Sequence, residues 1–486
     1  MIYKLRPYQE ECVKSISDYI NSDRHDPVLI VGPVGCGKSL LIAEAARLMG
    51  DKTLILQPSK ELLQQNHNKI TSYGIPATIY SASCGKKELS NMIYATLGSI
   101  KKVVGQLKEM GIRNVLIDEA HAGYSPEDGS EFMTFMNELK PKKVIGFTAT
   151  PCRLKTMSIG QVSYSRLNFI TRMRPVYFKN LIHVIQVEEM IRQGFWTPLK
   201  YETWDFNGDA LKLNSNGSEY TAESISEAVR KNGLNNLILR RLMVLKDVCR
   251  SILVFMDSVE SCNTAAEWMN AKICAGMAEV VHGGTPKKQR EAIVEGFKSG
   301  KTKVVFNYSA LGTGFDHPGL DCVIVGRPTF SFSSFYQWLG RAVRTKDGKG
   351  SALVVDCCNN SSRFGDIRKL SIENYKGYGW GMFIGDRLIT NIPMGDKVTK
   401  TDLDIKAAKK DRRRGLAQGI TASPVPGRPD HPLGSTLMTF GKYCGWMFHS
   451  IPVSYFKFIN ETFDWDNDRN KDIKEYIDFL IKNNRL

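Results

Sequence analysis

The amino-acid sequence predicts an α/β protein: two parallel-sheet domains in tandem, followed by a small C-terminal α+β module. Three observations carry that expectation. Short apolar runs alternate with helical patterns and end in glycine-rich or acidic tips, as strand–loop–helix units do. The pattern fades after the first third of the chain and restarts at Ser251. The chain has 486 residues, more than one compact core accommodates.

In the first domain, Pro27 to Val31 reads as a short strand feeding Gly32-Pro33-Val34-Gly35-Cys36-Gly37-Lys38-Ser39. Ser39 to Met49 is a helix and Thr53 to Gln57 the next strand. Val115 to Ile117 is a strand ending in Asp118-Glu119-Ala120-His121, and Val144 to Phe147 another ending at Thr148. Chemistry-bearing residues at strand ends place a ligand at the carboxyl edge of a parallel sheet.

The second domain repeats the logic. Strands are expected at Ser251–Phe255, Glu279–His282, Lys303–Phe306, Cys322–Val325 and Ala352–Val355. Helices are expected at Ser261–Met269, Pro286–Phe297 and Ser333–Arg344. The division is 1–184 for the first domain and 185–365 for the second, with 185–250 a helical connection. Residues 366–435, which include the basic run Lys397 to Arg414, read as a basic, Gly/Pro-rich linker. Residues 436–486 regain aromatics and a helix, Lys471 to Lys482, as a separate module.

Composition narrows the class. With 42% hydrophobic and 24% charged residues, the chain is of the ordinary globular type. A net charge of +16 favours a polyanionic partner, nucleic acid first, with a merely basic surface as the alternative. Eleven cysteines without a C-x-x-C pair draw neither a zinc ribbon nor a disulfide framework, which suits a reducing compartment. No signal-peptide core and no membrane-length apolar run stand in the chain. The expected location is the cytoplasm, or the host cytoplasm for a viral protein, with no membrane partner.

Gly32 to Ser39 fits G-x-x-x-x-G-K-[ST] in the required context, after a strand and opening a helix. Gly32, Gly35 and Gly37 let backbone N–H groups close around phosphates at a helix N-terminus. Lys38 is placed to reach the β- and γ-phosphates, and Ser39 to ligate Mg²⁺. Asp118 supplies the second magnesium ligand, Glu119 polarises the attacking water, and His121 couples the site to the other domain. Alone, an acidic pair at a strand end is often only solvated; the upstream phosphate loop gives this one its meaning. Thr148-Ala149-Thr150 is suited to linking nucleotide state to the domain interface.

Gln337 to Arg344 presents Arg341 and Arg344 three apart on the expected helix. An arginine set against a γ-phosphate stabilises transition-state charge. Gly312 to Asp316 follows a strand in the same half; Gly314 allows close backbone approach, and Asp316 bridges to the arginines or the nucleotide. From Leu139 to Val187 the chain holds no Asp or Glu. Its Lys143, Arg153, Lys155, Arg172, Arg174 and Lys179 are interleaved with Tyr164, Phe169, Tyr177 and Phe178. Such a stretch suits a phosphate backbone and exposed bases; the alternative is core aromatics with solvated charges.

In this order the motifs resemble those of the superfamily 2 helicases and translocases, over residues 3–358. Leu5-Arg6-Pro7-Tyr8-Gln9 resembles the opening motif, which implies that Gln9 reads adenine. Gly32 to Ser39 resembles motif I, the D-E-A-H box at Asp118 motif II, Thr148 to Thr150 motif III and Gln337 to Arg344 motif VI. Pro58-Ser59-Lys60-Glu61-Leu62 resembles motif Ia, Thr96-Leu97-Gly98-Ser99 motif Ib, and Ser309 to Asp316 motif V. The resemblance implies nucleic-acid contacts at Pro58, Ser59, Thr96, Ser99 and Ser309, beside Arg172 and Arg174 of the acid-free stretch. It also implies two RecA-like domains with ATP and Mg²⁺ between them.

The D-E-A-H letters do not place the chain with the RNA helicases named for them, because the other motifs differ. The L-R-P-Y-Q opening is more similar to DNA-acting members: phage helicases that remodel forks and branched DNA, restriction-enzyme motor subunits and excision-repair helicases. No nuclease motif accompanies it. The expected protein is therefore a monomeric ATP-dependent helicase or translocase on single-stranded, forked or branched DNA, in replication, recombination or repair. The rivals are an RNA helicase and a nucleotide-gated nucleic-acid-binding protein that does not unwind. Thr439-Phe440-Gly441-Lys442-Tyr443, with Gly445 and Ile451 to Tyr455, resembles a small uncharacterised phage and bacterial module. It offers docking for DNA or for a replication or recombination protein.

Overall fold

The computed structural model describes residues 4–50, 52–159, 162–311, 315, 317–376, 378–394, 396–407, 433, 436, 438, 443, 447–451, 453–462 and 471–483. The chain divides into two compact units, Met1–Lys400 and Thr401–Leu486.

The first domain of the large unit holds β1 (Val28–Val31), β2 (Thr53–Leu56), β3 (Thr78–Ser81), β4 (Lys86–Lys87), β5 (Met92–Ala95), β6 (Asn114–Ile117) and β7 (Lys143–Thr148). The hairpin strands β8 (Cys152–Ile159) and β9 (Val162–Phe169) follow, then β10 (Asn180–Val184). The sheet order is β10-β1-β7-β6-β2-β5-β3-β4. Every neighbouring pair is parallel except β3 with β4. β1, β2, β5, β6 and β7 are buried along their whole length, which is why they read as unbroken apolar runs rather than alternating ones.

The second domain holds β11 (Leu199–Thr203), β12 (Ile252–Phe255), β13 (Ala278–His282), β14 (Val304–Tyr308), β15 (Cys322–Val325) and β16 (Ala352–Asp356). These form a parallel sheet in the order β11-β16-β15-β12-β14-β13. The connection expected to be helical, 185–250, therefore also supplies the edge strand β11. Leu-Lys-Tyr-Glu-Thr is too polar and short to show in the sequence; its strand state comes from pairing with β16.

Two further expectations are corrected. The segment expected to be linker from residue 366 is folded in its first part, because 370–399 forms a four-stranded antiparallel sheet. Its strands are β17 (Leu370–Tyr375), β18 (Gly379–Ile384), β19 (Arg387–Leu388) and β20 (Val398–Thr399). Met382, Phe383 and Leu388 on its strands are buried, and Met382 joins the main core; the neighbouring basic composition obscures these strands in the sequence. The sheet ties back to the first domain. Gln186 Nε2 donates to the Ile372 carbonyl at 2.8 Å and Gln186 Oε1 accepts from the Ile372 N–H at 3.2 Å. Asn391 Oδ1 accepts from the Phe169 N–H at 3.0 Å, and the Asn391 N–H donates to the Leu167 carbonyl at 2.6 Å.

The second correction is that the helix carrying motif VI spans Phe332–Leu339, not Ser333–Arg344. Gly340 caps it, and Arg341 and Arg344 lie beyond its end. Turning out of the helix there frees both arginines from a shared face.

In the small unit, helices Val453–Thr462 and Lys471–Lys482 enclose a core of Met438, Phe448, Ile451, Phe456, Ile459 and Ile477. Thr439 to Lys442 and Gly445 lie outside the described residues, as does the basic run from Lys409 to Arg414. Among the described residues no helix is long and apolar enough to cross a membrane.

Candidate active site

A cleft of about 520 Å³ opens between the two large sheets. Gln9, Gly35, Gly37, Lys38, Ser39, Asp118 and Glu119 line it from the first domain; Gln337, Gly340, Arg341 and Arg344 line it from the second. Residues far apart in sequence thus meet in one cavity.

The phosphate loop leaves β1 at Gly32 and enters the helix Lys38–Met49. Gly35 and Gly37 both sit at φ +84°, a conformation that favours glycine. A Cβ on Gly32 would stand 2.6 Å from Cys36 Sγ, and one on Gly37 2.6 Å from Gln9 Nε2. At these two positions the cradle has no room for a side chain. Gln9 Nε2 donates to the Cys36 carbonyl at 2.9 Å, while Gln9 Oε1 accepts from the Arg6 N–H at 3.0 Å. Gln9 therefore ties the first helix to the loop at the edge of the cleft. Phe195, absent from the sequence expectations, stands there too, with the Arg6 guanidinium 4.6 Å from its ring centroid. Nothing local in the chain marks it; only the fold brings it to Gln9.

At the end of β6, Asp118 is buried. Its Oδ1 accepts from the Glu119 N–H at 2.9 Å and its Oδ2 from Asn66 Nδ2 at 2.9 Å. Asn66, on helix Lys60–Ser72, is a second residue that the motif reading missed. Burial first, and Glu119 second, push the Asp118 carboxyl up to about 7. Lys38 Nζ lies 3.7 Å from Glu119 Oε1. Burial pulls the Lys38 ammonium down, but Glu119, Cys36 and Asp118 outweigh it and raise it overall. Glu119 itself sits at φ +45°, strained backbone for a side chain of that size.

The two domains meet through hydroxyl groups. His121 Nδ1 shares a hydrogen bond with Thr148 Oγ1 at 2.8 Å, and His121 Nε2 one with Ser333 Oγ at 3.1 Å. Thr150 Oγ1 and Ser333 Oγ stand 3.1 Å apart. Burial holds the His121 imidazole below its usual range, against the pull of Glu119. Ser333, also unforeseen, thus contacts both motifs from the second domain. Trp196 Nε1 donates to the Val34 carbonyl at 2.7 Å, and Thr197 Oγ1 to the Arg344 carbonyl at 2.8 Å.

Arg341 Nη1 donates to the Phe315 carbonyl at 2.6 Å. Burial lowers Arg341 to about 10, with Glu119 opposing, and lowers Arg344 to about 10. Both remain cations at neutral pH. Gly314 and Asp316 lie outside the described residues.

The expected nucleic-acid contacts lie outside this cleft, at the carboxyl ends of strands. Pro58 and Ser59 follow β2, and Ser59 Oγ caps helix Lys60–Ser72 by accepting from the Leu62 N–H at 3.3 Å. Thr96 and Ser99 follow the adjacent β5 and are bonded to each other at 3.2 Å. Ser309 follows β14 at φ +53°. The acid-free stretch divides. Phe169 and Phe178 are core; Lys143 donates to the carbonyls of Tyr19, Ser22 and Arg24; Arg153 donates to those of Ala120 and Tyr124. Lys155, Arg172, Arg174 and Lys179 are exposed, and the Arg172 guanidinium lies 4.0 Å from the Tyr378 ring centroid.

Two profiles match the chain. That of the type III restriction enzyme res subunit matches residues 2–153, and that of the helicase conserved C-terminal domain matches residues 235–346. The chain belongs to helicase superfamily 2. Its two RecA-like domains are those of this superfamily. It is similar to a 51.5 kDa protein of a Lactococcus phage, with 25% identity over 332 residues, 68% of this chain and 65% of the relative. It is similar to the ATP-dependent DNA helicase Hel308 of Pyrococcus horikoshii, with 25% identity over 376 residues, 69% of this chain and 49% of the relative. The chain thus spans less than two thirds of the length of either relative. In fold it matches the ATP-dependent type ISP restriction-modification enzyme LlaBIII bound to DNA. The TM-score is 0.53 at 16% identity, over 73% of this chain and 28% of that one.

Proposed function

We propose that this superfamily 2 protein is an ATP-driven DNA helicase or translocase acting on forked or branched DNA. The observation that carries the reading is the convergence of Arg341 and Arg344 with Lys38, Ser39, Asp118 and Glu119 in one cleft between two domains. Hydrolysis built from both sides of a cleft is sensitive to domain closure, which is what a stepping motor needs.

In this reading the loop N–H groups and Lys38 hold the β- and γ-phosphates of ATP, and Gln9 stands at the adenine end. Glu119 orients water and receives its proton as the oxygen attacks the γ-phosphorus. The bond to the β–γ bridging oxygen breaks, and ADP and phosphate leave. Arg341 and Arg344 balance charge on the transferring group. Ser39 and Asp118 are the residues suited to Mg²⁺: a hydroxyl and a buried carboxylate that line the same cleft, with a second carboxylate at Glu119. Among the described residues there is no cluster of three or more His, Cys, Asp or Glu to hold a metal without the nucleotide. The ion would supply charge neutralisation on the phosphates.

In this reading Pro58, Ser59, Thr96, Ser99 and Ser309 hold the strand across the two domains, and Arg172 and Arg174 add contacts to its phosphates. The superfamily members that match this chain include DNA and RNA helicases. The L-R-P-Y-Q opening, the Hel308 similarity and the restriction-enzyme profile favour DNA. The deciding experiment measures ATPase rate against single-stranded, duplex, forked and four-way DNA and against RNA, with strand displacement of a labelled fork. Greatest stimulation by forked or four-way DNA, with displacement, is expected. Greater stimulation by RNA would move the chain to the RNA helicases, and stimulation without displacement to translocases or gated binders.

A further inference from the structure

Outside the cleft, one loop touches both the β8–β9 hairpin of the first domain and the approach to the arginines of the second. The loop Asn214–Tyr220 is closed by Asn214, whose backbone N–H donates to the Glu219 carbonyl at 2.8 Å and whose Oδ1 accepts from the Ser218 N–H at 2.9 Å. At its tip Gly217 lies at φ +60°, and a Cβ there would stand 2.1 Å from Thr156 Oγ1 of the hairpin. Thr156 Oγ1 donates to the Gly217 carbonyl at 3.1 Å and is itself hydrogen bonded to Ser165 Oγ at 2.8 Å. This contact crosses between the two domains.

Two residues further on, Glu219 grips the turn before the motif VI helix with both carboxylate oxygens. Oε2 accepts from Thr329 Oγ1 at 2.5 Å, and Oε1 from the Phe330 N–H at 2.7 Å. Thr329 is fully buried and saturated: its N–H donates to Asn360 Oδ1 at 3.0 Å, its carbonyl accepts from Arg363 Nη1 at 2.8 Å, and its Oγ1 accepts from the Ser331 N–H at 3.1 Å. Helix Phe332–Leu339 begins immediately after, carrying Ser333 against His121 and Thr150 and leading to Arg341. The hairpin itself starts two residues after Thr150. The contacts therefore close a ring: Thr150, hairpin, Thr156, Gly217, Glu219, Thr329, Ser333 and back to Thr150.

We propose that Glu219 is a positioning residue for the arginine-bearing segment, and that the loop Asn214–Tyr220 couples the β8–β9 hairpin to ATP hydrolysis. A hairpin displaced by nucleic acid pushes on Gly217, whose tight fit against Thr156 leaves no slack. Glu219 is bonded to the turn at two points, so movement of the loop reaches Ser333 and the arginines rather than dissipating. The inference rests on the motor reading above. It adds the route by which a bound strand changes hydrolysis.

The test uses the full chain with ATP and forked DNA. Thr156→Val keeps shape and removes the donor to Gly217. It is expected to leave ATPase without DNA within twofold of wild type and to lower DNA stimulation at least threefold. Glu219→Ala is expected to lower kcat with DNA at least tenfold, with nucleotide affinity, read by a fluorescent ADP analogue, changed less than threefold. Glu219→Gln keeps one acceptor and should recover part of the loss, which general destabilisation would not show at unchanged melting temperature. Combining Thr156→Val with Glu219→Ala should reduce stimulation no further than Glu219→Ala alone. Multiplying losses, or a Glu219→Ala protein with wild-type stimulated kcat, would overturn the coupling route while leaving the motor reading intact. A wild-type protein whose ATPase ignores every nucleic acid would overturn both.

Discussion

Gly340 offers the sharpest test of the closed cleft. It caps the helix Phe332–Leu339 at φ −59° and ψ −13°, ordinary helical backbone in which alanine is at home. Alanine there should even gain about 0.5–1 kcal/mol of conformational stability. Across the interface, however, its Cβ would stand 2.5 Å from Val34 Cγ2 and 2.7 Å from Val34 Cβ, on the phosphate loop. Neither atom is the far end of a flexible chain, so one domain must withdraw from the other. Forcing a methyl into such a contact costs about 1–3 kcal/mol, equivalent to roughly 5- to 150-fold in the closed population. We predict that Gly340→Ala lowers ATPase kcat within that range, while ADP-analogue binding and melting temperature stay near wild type. Val34→Gly in the same chain removes both offending atoms, Cγ2 and Cβ, and should restore most of the rate. A Gly340→Ala enzyme with wild-type kcat, or one that Val34→Gly fails to rescue, would show that hydrolysis does not need this contact.

Further outcomes follow from the same cleft and its surroundings. Lys38→Ala should abolish ATP turnover while leaving nucleotide-free DNA binding intact, and Glu119→Gln should bind ATP without hydrolysing it; steady-state ATPase beside filter binding checks both. Arg341→Ala or Arg344→Ala should lower kcat by at least about a hundredfold, with a smaller change in ATP affinity; wild-type kcat in both would remove them from the reaction. Replacing Arg172 and Arg174 by Ala should flatten the salt dependence of DNA binding by about 0.7–0.9 in log–log slope per lost phosphate contact; an unchanged slope would mean that these side chains are merely solvated. Truncation after Lys400 should leave a folded ATPase, whereas truncation after Gly365 should not, because it strips β17–β20 from Gln186, Leu167 and Phe169; thermal melting separates the two.

What could be read from the chain was local. The phosphate loop, the acidic strand end and the order of strands are encoded within a few consecutive residues, so each declared itself through spacing and periodicity. Long-range partners had no such signal. Asn66 reaches Asp118 from a helix whose sequence is unremarkable, and Ser333 looks like one more serine in an N-terminal helical turn until the fold sets it against His121. The strands β17–β20 escaped notice because the sequence beside them is basic and glycine-rich, and because their buried side chains draw on neighbours far away in the chain. The motif VI helix is shorter than its sequence pattern predicts: Gly340 lacks a side chain, which serves the contact with Val34, and the helix ends there. The acid-free stretch showed both faces of its ambiguity, with Lys143 and Arg153 spent on backbone carbonyls and Arg172 and Arg174 left outside.

The return of β17–β18 to the first domain changes the mechanics of the whole large unit. The chain crosses from the first to the second domain through Phe195–Pro198, and the sheet that follows the second domain is bolted back at Gln186 and Asn391. A pair of bodies joined by one tether swings in any direction. Pinned at a second place, the pair has less freedom, because movements that draw the sheet from the first domain break hydrogen bonds at Ile372 or Leu167. In the proposed motor, such a joint would give the closing movement a preferred direction by geometry alone.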